Sequence, residues 1–142
     1  MKKIFLFLSL CTLSTFVFAQ NTVTSSVDIA KETTAKLKET YRLTDAQTTK
    51  MEAIQAQKQQ NLSEIEKYKN TNEVLYVRKR EAISVGTNAS IERMLDKEQI
   101  KTLRAKQGAV RLARAKKTEE FRNSKASDLQ KKLILLELEE QF

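Results

Sequence analysis

Proline and tryptophan are absent from the 142 residues, histidine is absent too, glycine occurs twice and cysteine once. Each absence excludes something. A chain without proline and with only Gly86 and Gly108 has few of the residues that stop helices or make tight hairpin turns. Without histidine, and with Cys11 as its only thiol, it lacks the ligands of the usual zinc, copper or nickel site. There is no glycine-rich phosphate loop and no pairing of a nucleophile with a base, so nothing points to an enzyme or to a bound cofactor. Aromatics are few. Four of the six Phe residues (Phe5, Phe7, Phe16 and Phe18) lie near the N-terminus, leaving Tyr41, Tyr68, Tyr76, Phe121 and Phe142 for any core. That supply suits a thin helical layer, or a dimer that shares its core, better than a thick globule.

What is present is rich in Ala, Leu, Glu, Lys, Gln and Arg, the strong helix formers, and predicts an all-α fold. The first residues read differently. Lys2 and Lys3 precede an apolar run from Ile4 to Leu13, and Val17-Phe18-Ala19 offers a cleavage site, so residues 1–19 are expected to be a signal peptide. Cys11 falls inside that run after Leu10, which is too large for a lipid-anchoring motif, and the mature chain would carry no thiol. The mature chain is therefore expected to be exported, with no membrane-spanning segment after cleavage. The formal charge is +8, two units of which come from Lys2 and Lys3.

Beyond the leader, residues 20–26 are polar and predict a loose tail. Val27, Ala30, Thr34, Leu37 and Tyr41 recur at helical spacing. Thr44-Asp-Ala-Gln47 then reads as a capping box, in which the Thr hydroxyl accepts from the backbone three residues on and the Gln side chain returns to the cap's own N–H. Asp96-Lys-Glu-Gln99 repeats it with Asp as the cap, and Leu95 with Ile100 occupy the two positions of a hydrophobic staple. A second helix would carry Met51, Ile54, Leu62, Ile65 and Tyr68 and end near Lys69. A third, capped by Asn70 with Glu73, would turn Val74, Leu75, Val77, Ala82, Ile83 and Val85 inward. Gly86-Thr87-Asn88 reads either as a break or as one costly glycine in a continuous helix. A fourth helix from Asp96 past Phe121 would bury Leu103, Val110, Ala113 and Phe121. Ser124 to Asp128 offers a stop and a new cap. The Leu-rich stretch from Leu129 to Phe142 forms a final amphipathic helix, which either folds back over exposed core or binds a partner.

Leu43, Thr44 and Gln47, followed by Leu95, Asp96 and Gln99, form two copies of Leu-Thr-x-x-Gln, the second with Asp in place of Thr and neither with the proline common at the next position. With an export signal and a small basic helical chain, this resembles the LTxxQ-motif family of periplasmic proteins, the Spy and CpxP type. The resemblance runs from about Ile29 to Phe121, so that residues 27–123 form the LTxxQ helical domain and residues 124–142 a separate helical tail. It implies a periplasmic location and an elongated hairpin of about four helices that dimerises antiparallel. It also implies a concave face that binds unfolded proteins, or a sensor domain, without ATP.

Charge supplies the candidate contacts. Arg78, Lys79 and Arg80 form one basic cluster; Arg104, Lys106, Arg111, Arg114 and Lys117 belong to a longer basic run along the fourth helix. Such side chains attract acidic or unfolded polypeptide and cover apolar segments with their methylene stems. They also fit the plain alternative of a solvated face that keeps the chain soluble. Nucleic acid would reward the same charges without sequence preference, but export removes it as a specific partner. A different class of function, an envelope adaptor anchored to one partner by the Leu-rich helix, fits the same sequence.

Overall fold

The structure, a computed structural model, describes residues 17–140. Five α-helices follow one another: α1 Val17–Tyr41, α2 Asp45–Ile65, α3 Glu73–Met94, α4 Lys97–Glu120 and α5 Asp128–Glu140. No strand occurs among the described residues, as the composition requires. The leader lies outside them except for its last three residues. These and the backbone of residues 20–26 continue α1, so the loose tail expected there is helical instead.

Local chemistry sets the boundaries. Helix α1 ends on Arg42, whose φ of 52° is left-handed, and Leu43 N–H returns to the Lys38 carbonyl at 3.0 Å. This is the Schellman closure, normally given to glycine at the left-handed position. Both predicted capping boxes at α2 and α4 are formed. Helix α2 stops at Ile65 and tightens into a 3-10 turn over Glu66–Tyr68. That turn delays α3, whose cap is Asn72 and not Asn70: Asn72 Oδ1 accepts from Leu75 N–H at 3.0 Å. Helix α3 runs unbroken through Gly86, where an added Cβ would meet nothing within 4 Å. The glycine serves no close approach here and costs the helix about 0.5–1 kcal/mol relative to alanine.

Helix α1 packs on α2, α2 on α3, and α5 on both α3 and α4, while the start of α4 reaches α1. The apolar interior falls into two clusters. The first joins Tyr41, Leu43, Met51, Ile91 and Leu103, with Leu95 and Ile100 of the predicted staple packed against it. The second joins Ile65, Tyr76, Val77 and Leu136, flanked by Leu62, Tyr68, Ile83, Leu129 and Leu133. Between them, small and polar residues of α2 and α3, among them Ala53, Ala82, Gly86 and Ser90, line an open groove of about 590 Å³.

Four stripe assignments change. Val27 is 42 % exposed, Val74 and Val85 are 45 % and 64 % exposed, and Ala82 is exposed too. The inward face of α3 instead follows Tyr76, Val77, Arg80, Ile83 and Ile91, a phase disguised in the sequence by the arginine at its centre. On α4 only Gln99 and Leu103 are buried, and Val110 and Ala113 are half-buried; the helix stops at Glu120, short of the expected end, and the half-buried Phe121 opens the 3-10 turn that follows. Two buried polar groups, Thr34 Oγ1 and Gln55 Oε1, have no hydrogen-bond partner among the described residues. Each such group costs about 1–3 kcal/mol.

Candidate functional site

The two Leu-x-x-x-Gln stretches meet face to face. Gln47 Oε1 accepts its own cap's Thr44 N–H at 3.0 Å, and Gln99 Oε1 accepts Asp96 N–H at 2.9 Å. The amide groups then reach across. Gln47 Nε2 donates to Gln99 Oε1 at 2.8 Å, and Gln99 Nε2 donates to Gln47 Oε1 at 3.0 Å. Gln47 Nε2 also reaches the Met94 carbonyl at 3.1 Å, and Gln99 Nε2 the Arg42 carbonyl at 3.5 Å. Arg42 and Met94 are the residues that precede Leu43 and Leu95, so the contacts repeat under exchange of the two motifs. Met51 and Leu103, four residues beyond each Gln, enter the same apolar cluster. The repeat is thus a local pseudo-two-fold in which each helix start caps itself and grips the other.

Glutamine is the residue this requires. One side chain must accept the cap N–H and also donate to a carbonyl and to its twin, and a neutral amide does both. A carboxylate could accept but not donate. Leu43, Thr44, Gln47, Leu95, Asp96 and Gln99 are therefore brought together as one architectural unit. Within it Gln99 is buried and Gln47 half-buried, while the caps Thr44 and Asp96 are exposed.

A third box, missed in the sequence although its Ser-x-x-Gln spacing was legible, opens α5. Gln130 N–H donates to Ser127 Oγ at 3.2 Å and Ser127 N–H to Gln130 Oε1 at 2.9 Å.

The basic candidates separate into two groups. Arg80 is turned inward, its side chain 12 % exposed and its Nη1 3.6 Å from Glu137 Oε1 of α5. Arg114 pairs with Glu139 of α5. Lys117 pairs with Glu120 at 2.7 Å and lies over the Phe121 ring. Lys106 is half-buried. Arg78, Lys79, Arg104 and Arg111 are exposed, Lys79 standing 5.6 Å from the centre of the Tyr68 ring. Arg80 and Arg114 are thus committed to holding α5, which sequence reasoning could not foresee because their partners lie far along the chain.

Titration adds little. Burial raises the Tyr41 phenol above its ordinary value of 10.0. A hydrogen bond and the charge of Lys36 lower Glu32, and Glu66 does the converse for Lys69. All three effects are structural. Among the described residues, no cluster of acidic, His or Cys side chains could hold a metal ion, and no helix is long and apolar enough to cross a membrane.

No family model, curated protein or solved structure matches this chain.

Proposed function

We propose that this chain is an exported, ATP-independent periplasmic chaperone or envelope-stress protein of the LTxxQ type, acting as a homodimer on unfolded or envelope proteins. The observation that carries the reading is α4. Beyond Leu103 it buries no side chain, and it presents Leu112, 61 % exposed, with exposed Ala105, Ala109 and Ala115 among Arg104, Arg111 and Lys116. A helix so lightly used by its own fold, basic and studded with apolar groups, suits reversible contact with chains that expose apolar segments. The paired glutamines support the family reading by giving the two motifs one structural purpose. The function needs no catalytic group and no cofactor, and the reading includes no specific nucleic acid.

The adaptor reading draws on α5, where Ile134, Leu135 and Leu138 are only half-buried. Because Leu136 belongs to the second core cluster, using α5 as an anchor would require it to leave that cluster.

The test is aggregation of a chemically unfolded protein in the presence of residues 20–142, without ATP, at low and raised salt. Suppression near stoichiometric ratios that weakens with salt is expected, because the first encounter is electrostatic. A helical chain that suppresses nothing at either salt would overturn the general-chaperone reading and leave the adaptor.

A further inference from the structure

Helix α5 is charged the wrong way round for a free helix. Asp128 suits its first turn, but Lys131 and Lys132 follow near the start, Glu137, Glu139 and Glu140 close it, and its last turn holds no basic residue. Carboxylates at a helix C-terminus oppose the helix dipole. A 13-residue helix is marginal alone even when its charges are well placed. The arrangement makes sense only when α5 is docked. Arg80 of α3 then meets Glu137, Arg114 of α4 meets Glu139, and Glu81 of α3 meets Lys132 at 2.6 Å.

The docking is incomplete in two respects. Of the leucines and isoleucine on α5, only Leu136 is buried. Beside Glu139 the α3/α4 cleft also holds an open space of about 400 Å³, whose lining includes Val85, Val110, Arg111 and Arg114. Apolar side chains and arginines, the chemistry that holds α5, therefore line this space as well.

We propose that α5 is a displaceable occupant of the α3/α4 cleft, and that the cleft takes in its place a leucine-rich amphipathic helix of another polypeptide with carboxylates towards its C-terminal end. Helix α5 is the chemical template of that ligand and its competitor within the chain. This rests on the reading that the basic helical surface binds polypeptide, and it adds a defined site and a gate.

The probe is a fluorescent peptide of residues 127–140, titrated into residues 20–142 and followed by anisotropy. In Glu137→Gln, which weakens the resident contact, affinity for the peptide is expected to rise about 3- to 10-fold as the open fraction grows. In the double variant Ser84→Cys with Glu139→Cys, a short thiol crosslink between positions whose side chains touch in the native chain fixes α5 in place. Binding should fall at least about tenfold on crosslinking and return when a cleavable link is cut. Equal binding by crosslinked and released protein would overturn the proposal, as would no binding to a Glu137→Gln chain that circular dichroism shows to be helical. Crosslink-dependent binding without aggregation suppression leaves the cleft standing and removes the chaperone; suppression with crosslink-independent binding does the reverse.

Discussion

The two ends of the helical layer are held by different means. Around Met51 and Leu103, apolar burial is organised by a polar lock: five cap bonds to backbone N–H groups and a reciprocal amide pair fix where α2 and α4 begin and how they face each other. Around Val77 and Leu136, no reciprocal amide pair of this kind occurs among the described residues. A late helix is held there by leucines and by ion pairs that are partly open to water. Amide bonds of this kind demand one geometry, whereas ion pairs between long side chains tolerate several and are each worth about 0–1 kcal/mol when exposed. The first end is built to be unique and the second to be adjustable.

The largest expected effect separates the ends directly. Met51→Ala, at a side chain with no exposed surface, should cost about 3 kcal/mol of global stability in urea unfolding. Leu136→Ala should instead raise amide exchange in α5 and the first half of α3 while α1 and the first half of α2 keep their protection. Equal loss of protection at both ends would erase the distinction.

A sharper comparison uses one substitution in two boxes. Gln99→Glu keeps an acceptor for Asp96 N–H but cannot donate to Gln47 or Arg42, and should cost about 2–3 kcal/mol. Gln130→Glu keeps all that the α5 box uses and should change stability by less than about 0.5 kcal/mol, since Glu serves as well as Gln in an isolated box. Similar costs at the two positions would mean that the cross-motif pair contributes nothing.

The smallest effect tests where the pseudo-symmetry fails. Arg42 is left-handed and its counterpart Met94 is not. Arg42→Gly should therefore stabilise by about 0.5–1 kcal/mol, and Met94→Gly should destabilise by at least about 1 kcal/mol, in the same urea experiment.

How much could be read in advance follows the same division. The all-α class and the two boxes were legible because composition sets the first and each box depends on residues within one helical turn. Their meeting was not, though the equal spacing of Leu43, Gln47 and Met51 and of Leu95, Gln99 and Leu103 was its trace. The phase of α3 was misread because Arg80 looks like a surface residue until Glu137 is placed beside it. Asn70 was a sound cap displaced by the 3-10 turn before it. Gln55, buried on α2, gives no sequence signal at all: a polar residue there is indistinguishable from its exposed neighbours.

In kinetic terms, the Gln47–Gln99 pair is a ring closure. The hairpins of α1 with α2 and of α2 with α3 join segments adjacent in the chain, but this pair joins residues 52 apart, and closing so long a loop costs entropy that no single amide pair offsets. The hairpins must therefore be standing before the glutamines can find each other. The lock that defines the native arrangement then forms late in folding, and its loss in Gln99→Glu should speed unfolding while leaving the folding rate nearly unchanged in stopped-flow measurements.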